Sequence, residues 1–186
     1  MLLLGIALVS PLPAQPVGDR ELQVEAAFLV NFVRYAEWPR QRFRDPADPY
    51  VVAVVGSDTV VDTFDAVARA AGPIQGRRIS VRRVELAGAA GSDRRRSAIQ
   101  QLRGSHVVFV QASSGGNARD VLLALAGAPV LTVGDVPGFV ADGGMLGLVR
   151  AGPHLAFEAN PAAIQAAGVS LSAKVMKLAR IREGRR

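Results

Sequence analysis

Residues 129–163 read PVLTVGDVPGFVADGGMLGLVRAGPHLAFEANPAA, and this stretch decides the fold. Its apolar run at 130–133 is long enough for a buried strand, and a loop rich in glycine and proline follows it. Two further apolar runs, 145–149 and 155–157, flank an Ala-Gly-Pro sequence whose composition is typical of a tight turn. Asn160 and Pro161 then indicate the start of a helix, with Asn as its cap. The stretch therefore predicts a strand, a loop, a hairpin ending at Glu158, and a helix.

The remainder of the chain alternates strands with helices. Two continuous apolar runs, Tyr50–Val55 and 106–110, are typical of strands that are buried on both faces. The segment 77–84 alternates apolar and basic residues, which is typical of a strand near a sheet edge. Helices are predicted at 21–36, 59–71, 93–102, 118–126 and 171–179. This order predicts an α/β fold. We expect a single compact Rossmann-like three-layer domain over residues 20–182, with a mainly parallel sheet, a closing antiparallel hairpin and a basic tail at 183–186.

Apolar spacing predicts which faces of the terminal helices are buried. Residues that recur every three or four positions form one face of a helix. In the first helix the predicted core face consists of Val24, Ala27, Phe28, Phe32 and Tyr35. Trp38, the only tryptophan, is expected to cover the core below that helix. In the last helix the predicted face consists of Leu171, Val175, Leu178 and Ala179.

The composition of the chain excludes several classes of site and of function. The chain has 186 residues, no cysteine and a net charge of +6, and almost all of its basic residues are arginine. Without cysteine, neither a thiolate metal site nor a disulfide can form. The basic residues are not interleaved with aromatics, and the sequence has no known nucleic-acid-binding motif. We therefore predict solvated surface charge and no binding of nucleic acid.

The N-terminus has the features of a leader. Residues 1–9 (MLLLGIALV) form an apolar run of signal-peptide size, and Leu12-Pro13-Ala14 is a suitable cleavage site. A positive segment before the run is missing. The alternative is a buried first strand, which the prolines at 11, 13 and 16 disfavour. We predict a signal peptide at 1–14 and export to the periplasm. No other apolar run reaches ~18 residues, so we expect a soluble mature protein without direct membrane insertion.

The sequence offers no convincing catalytic or cofactor motif. GSDTVV at 56–61 follows a strand but has neither the glycine pattern nor the lysine of a nucleotide site. His106 and His154 stand apart from other ligand types and are expected to be structural. Asp135 and Asp142 flank a loop beside Glu158, so a carboxylate pair is conceivable, but Asp135 is better explained as bonding turn amides two residues on. We therefore predict no enzyme, no catalytic residue, no metal and no cofactor.

Five blocks in order along the chain together resemble one protein family. They are AAFLVNFVRYAEWP (26–39), LTVGDVPGF (131–139), GGM (143–145), FEAN (157–160) and GVSLSAKVMKLARI (168–181). In combination they are similar to the YfiR-like family. The resemblance implies a periplasmic, non-catalytic α/β protein that tends to form a homodimer. It also implies a repressor that binds the periplasmic sensor domain of a membrane diguanylate cyclase and lowers cyclic di-GMP.

The resemblance also implies two partner-binding residues, Glu158 and Ile164. Their spacing allows an apolar contact beside a charge on one surface. The equally open alternative is that Ile164 packs inward and Glu158 only caps the following helix. The disulfide-linked redox control of the studied relative cannot apply to a chain without cysteine. The alternative function is a periplasmic small-molecule receptor that tunes a membrane partner, with its ligand at the loop 135–144 beyond a strand end.

Overall fold

A central sheet with helices on both faces forms the protein. The computed structural model describes residues 17–114 and 117–184, so the predicted signal peptide lies outside the described residues. In the described part the strands are β1 (Ala36–Glu37), β2 (Tyr50–Val55), β3 (Ile79–Arg83), β4 (Val107–Val110), β5 (Leu131–Gly134), β6 (Leu146–Ala151), β7 (His154–Ala159), β8 (Ser170–Leu171) and β9 (Arg180–Ile181). The helices are α1 (Val17–Tyr35), α2 (Asp58–Ala71), α3 (Asp93–Arg103), α4 (Asn117–Leu125), α5 (Pro161–Ala166) and α6 (Ala173–Met176), with 3-10 turns at Arg40–Arg42 and Ala112–Ser114.

The main sheet has the order β3-β2-β4-β5-β6-β7-β9. Strands β3 to β6 in this order pair in parallel, β6 and β7 form the antiparallel hairpin, and β9 pairs with β7 in parallel. A second, two-stranded sheet pairs β1 with β8. The predicted α/β class, the mainly parallel sheet, the hairpin and the edge position of β3 are therefore confirmed.

Two apolar clusters fill the spaces between the layers because successive side chains of a strand point to opposite faces. One cluster joins α1, α2, α5 and α6 to the sheet, with residues such as Val52, Phe109, Val133 and Phe157. The other joins α3 and α4 to the opposite face, with residues such as Ala53, Val108 and Val110. Four strands, β2, β4, β5 and the start of β6, are buried on both sides, as their continuous apolar runs predict.

The loop between β5 and β6 is closed by an aromatic ring between glycines. A Cβ atom on Gly134 would lie 2.9 Å from the ring of Phe139, and one on Gly144 would overlap the same ring. Phe139 is 2% exposed and belongs to the cluster below α3 and α4. In the GDVPGF and GGM blocks, the ring of Phe139 therefore packs directly against the backbone of Gly134 and of Gly144.

The predicted face of α1 is wrong in part. Val24 and Tyr35 are 42% and 39% exposed, and Ala27 is also exposed. A second stripe with the same spacing faces the sheet instead, and it consists of Ala26, Leu29, Val30 and Val33, with Phe32 beside it. Burial of this stripe removes apolar area from water, and Phe28 and Phe32 of the predicted face also pack against the same core. Trp38 is buried as predicted, and its Nε1 donates to the carbonyl of His106 at 3.0 Å.

The single helix predicted at 171–179 is also wrong. Leu171 pairs with Ala36 across the small sheet, and the amide of Ser172 donates to the carbonyl of Tyr35 at 2.9 Å. These non-local bonds hold the chain extended before α6 begins, and β9 follows after only a few residues. Leu178, which was expected in the core, is 76% exposed.

Candidate functional site

Glu158 lies near the end of β7, where the sheet places it next to β9. Its register partner on β9 is Arg180. The Nε of Arg182 donates to its Oε1 at 2.9 Å, and the Glu158 side chain remains 18% exposed. The helix that follows is capped by Asn160, whose Oδ1 accepts from the amide of Ala163 at 3.1 Å. Glu158 is therefore one half of a partly exposed ion pair and does not cap the helix.

Ile164 is buried. It is 5% exposed and belongs to the apolar cluster on the α1 and α2 side, together with Phe157 and Ala159. Since neighbours on a strand point to opposite faces, Glu158 lies on the other face of β7 from these two residues. Of the two arrangements open from the sequence, the structure has Ile164 packed inward, but the helix is capped by Asn160 and not by Glu158. Glu158 and Ile164 do not form one exposed patch.

Two exposed apolar side chains lie at the same border of the sheet as Glu158. Ile181, in β9, is 54% exposed, and Leu178 just before it is 76% exposed. The side chain of Ile181, the register partner of Ala159, lies on the opposite face of the sheet from the ion pair of Glu158 with Arg182, and both occupy the outer border formed by β9. We name Glu158, Leu178, Ile181 and Arg182 the β9 surface. Exposed apolar side chains together with a charged pair at one border of a fold are a common composition for a protein contact.

A cluster of carboxylates lies at the other end of the hairpin. Glu21 and Glu25 are one helical turn apart on α1 and face Asp135, which directly follows β5. Together with Arg150 of β6 they line a cavity of about 390 Å³. The remaining wall is apolar and consists of Pro137, Leu148, Val149 and Leu155. We name this cavity the acid pocket.

The charges of the acid pocket are only partly compensated. Arg150 donates to Oε2 of Glu21, and Oδ1 of Asp135 accepts from the amide of Ala112 at 2.6 Å. Glu25 is 5% exposed, and its Oε2 has no hydrogen-bond partner among the residues that the structure describes. Burial, and then the charge of Asp135, raise the pKa of Glu25 to about 7. Burial also raises the pKa of Asp135.

The structure brings together a different set of acids from the one that the sequence indicated. Asp135 bonds the amide of Ala112, not turn amides two residues on, so that prediction is wrong. Asp142 lines a separate groove beside α4, and Glu158 pairs with Arg182. Glu21 and Glu25, which complete the pocket, had no role in the sequence analysis. In the sequence these two residues are visible only as acids four residues apart on a predicted helix, and such a pair usually lies on a solvent-exposed face.

His106 is structural in its contacts. Its Nδ1 accepts from the amide of Val51 at 3.0 Å, which leaves the proton on Nε2. Its ring stacks on Phe43 at a centroid distance of 4.6 Å. Burial, and then the charges of Arg42 and Arg77, lower the pKa of His106 to about 4. His154 is exposed at the start of β7.

Residues 17–114 and 117–184, which the structure describes, contain neither a metal-ligand cluster nor a membrane-spanning helix. No group of three or more Asp, Glu or His side chains there is arranged to hold a metal ion. Within the same ranges no helix has the length and apolar character needed to cross a bilayer.

Comparison with known proteins identifies the family. The model of the YfiR/HmsC-like family matches residues 22–180. This chain belongs to the YfiR/HmsC-like family. Its members are non-catalytic periplasmic regulators that act with membrane signalling proteins. Among curated proteins, none is significantly similar in sequence.

The fold also recurs in a solved structure. A crystal structure of a conserved domain protein from Vibrio cholerae O1 biovar El Tor strain N16961 is similar, with a TM-score of 0.57 and 12% identity. The similarity covers 86% of this chain and 59% of that one, so this YfiR/HmsC-like chain spans well under two thirds of the other protein. At this identity the likeness concerns the fold alone.

Proposed function

We propose that this protein is an exported, non-catalytic regulator of a membrane signalling enzyme. It binds the periplasmic sensor domain of a membrane diguanylate cyclase, keeps that enzyme inactive and so lowers cyclic di-GMP. The observation that carries the proposal is the family match over residues 22–180, because this family consists of periplasmic regulators.

The proposed contact area is the β9 surface. Leu178 and Ile181 expose apolar area that a partner can remove from water, which is the main favourable term in association. Glu158, with its hydrogen bond from Arg182, supplies a charge that selects partners of complementary sign. Ile164 supports this area from the core, so its contribution to binding is indirect.

Purified protein and the detergent-solubilised cyclase test the proposal. We expect wild-type protein to bind the cyclase and to lower its rate of cyclic di-GMP synthesis. Replacing both Leu178 and Ile181 by Asp should weaken binding at least tenfold, since interface anchors of this kind contribute ~1–2 kcal/mol each or more. Glu158→Ala should weaken it by several-fold. Wild-type protein that neither binds nor inhibits the cyclase would refute the proposal.

A matched control lies at the opposite border of the sheet. Asp58 forms an ion pair of 3.0 Å with Arg83 of β3, far from β9 in the strand order. Asp58→Ala removes an equally ordinary surface pair and should leave cyclase binding unchanged. Equal losses for Asp58→Ala and Glu158→Ala would mean a non-specific charge effect.

A conservative substitution is needed to test the role of Ile164 in cyclase binding. Ile164→Asp would place an unpaired charge in the core and unfold the protein. Ile164→Val removes one methylene, at a cost of ~0.5–1.5 kcal/mol in stability. If Ile164 supports the surface from within, this variant binds the cyclase within about twofold of wild type. A large loss of binding in a folded Ile164→Val protein would instead place Ile164 in direct contact with the partner.

We also propose that the protein forms a homodimer, which is supported by its resemblance to the studied relative of the family. Light scattering on the purified protein measures the molar mass directly. A mass near 39 kDa, twice the chain mass of 19.6 kDa before any processing, is expected at micromolar concentration. A monomer at every concentration up to the millimolar range refutes it.

A further inference from the structure

The acid pocket has the location of a ligand site. It lies at the carboxyl end of β5, between α1 and the β6–β7 hairpin, and open α/β sheets bind ligands beyond the carboxyl ends of their strands. Its volume of about 390 Å³ falls at the small end of the range for such sites, ~300–1,000 Å³.

The polar groups of the acid pocket determine the charge of a ligand that it can bind. Three carboxylates from two elements face one guanidinium, that of Arg150, which is already bonded to Glu21. Oε2 of Glu25 is buried within this wall and has no donor among residues 17–114 and 117–184. Buried acceptors almost always have a donor in native proteins. Beyond Arg150, whose guanidinium is bonded to Glu21, a positively charged hydrogen-bond donor on a ligand would compensate these carboxylates.

The apolar wall defines the rest of the ligand. Pro137, Leu148, Val149 and Leu155 offer no hydrogen-bonding side chain and would pack against an alkyl or aryl group. The described residues contain no arrangement of three acids suited to a metal ion, which disfavours a bare divalent cation. A compact ammonium group with an apolar body matches both halves of the pocket.

We propose that the acid pocket binds a small organic amine, with its ammonium group between Glu25 and Asp135 and its apolar body against the apolar wall. The pocket touches β7 at Leu155, at the far end of the strand from Glu158. This inference does not depend on the proposed partner, and an amine site and a cyclase contact are tested separately.

The experiment uses n-butylammonium chloride as the probe, with sodium butyrate and 1-butanol as anionic and neutral counterparts of the same length. Thermal unfolding and titration calorimetry are measured at pH 8, where Glu25 is ionised. At a concentration about ten times its Kd, the probe should raise the Tm by about 3–6 °C. Butyrate and butanol at the same concentration should leave the Tm unchanged.

Two nearly isosteric variants locate the binding. Glu25→Gln and Asp135→Asn keep the shape of the pocket, and Asn at 135 can still accept from the amide of Ala112. Each should weaken butylammonium binding at least tenfold, whereas Asp58→Asn on the distant β3 border should not. Lowering the pH from 8 to 5.5, which protonates Glu25, should weaken binding more for wild type than for Glu25→Gln, in which only Asp135, of the two carboxylates proposed to hold the ammonium group, can still titrate.

Three results would overturn the proposal. The first is no saturable effect of butylammonium on wild-type protein at pH 8. The second is equal binding to wild type and Glu25→Gln, which places the amine elsewhere. The third is an equal, Glu25-dependent stabilisation by Mg²⁺ or Ca²⁺ alone, which would make the site one for metal ions.

Discussion

Glu25 is an acid whose burial changes its protonation. Its pKa is raised from 4.5 to about 7, first by burial and then by Asp135. The folded protein therefore keeps a proton that the unfolded chain releases at a lower pH. Stability from this proton uptake is complete below pH 4.5 and is lost as the pH rises through about 7.

Replacing Glu25 by Gln should therefore stabilise the protein at high pH. A shift from 4.5 to about 7 corresponds to at most about 3 kcal/mol of unfolding free energy at pH 8. We expect Glu25→Gln to gain up to that amount at pH 8 and little or nothing at pH 4.5, as measured by urea unfolding.

The matched control is Glu85→Gln, since Glu85 is exposed. It should change the unfolding free energy by no more than about 0.5 kcal/mol at either pH. A loss of stability for Glu25→Gln at pH 8 would contradict the assigned environment of Glu25.

At the scale of elements, the loop between β5 and β6 depends on its glycines. A Cβ on Gly144 would overlap the ring of Phe139 and lie 2.8 Å from the carbonyl oxygen of that residue. Gly144→Ala should lower the unfolding free energy by ~1–3 kcal/mol through overpacking.

A double-mutant cycle identifies the cause of that loss. Phe139→Leu removes part of the ring surface, so Gly144→Ala should cost less in the Phe139→Leu background than in wild type. Both losses are read from thermal or urea unfolding. Equal costs in the two backgrounds would show that the ring is not what Gly144 accommodates.

Elements defined by local pattern are predictable from the sequence. Tyr50–Val55 is a strand with the predicted bounds because a run of β-branched residues has no competing local structure. Asn160 caps α5 as its position before Pro161 indicates. The helix predicted at 171–179 is wrong because β8 pairs with β1, which is far away in the sequence. The spacing of apolar residues within one segment gives no information about such a pairing.

The candidate sites were predictable only in part. Glu158 does stand at the end of a strand before a capped helix, and its role with a partner stays a prediction. The burial of Ile164 was one of two open alternatives. The sequence drew attention to Asp135 and its loop but not to Glu21 or Glu25, because Glu25 and Asp135 are more than a hundred residues apart in the chain. Only the fold makes them neighbours.

For the whole molecule, Glu25 and His106 have opposite effects on pH dependence. The pKa of His106 is lowered to about 4, so its contribution to stability is complete above 6.5 and is lost as the pH falls through about 4. Between about pH 4.5 and 6.5 the loss from His106 is offset by the gain from Glu25.

Wild-type stability should therefore change little between pH 6.5 and 4.5, whereas Glu25→Gln should lose stability steadily over the same range. Urea unfolding at half-unit pH steps measures both profiles. An NMR titration of the His106 ring provides an independent check, with an expected midpoint near 4. A midpoint near 6.5, or parallel profiles for the two proteins, would show that Glu25 and His106 do not have opposite effects on the pH dependence of stability.

Both outer strands of the main sheet bear guanidinium groups, Arg82 on β3 and Arg180 on β9. Two molecules that approached side by side to continue the sheet from β9 of one onto β3 of the other would bring these like charges together. The architecture thus discourages runaway fibril growth by strand addition. Any stable pairing of two copies is to be sought on the helical layers, where these cations do not oppose it.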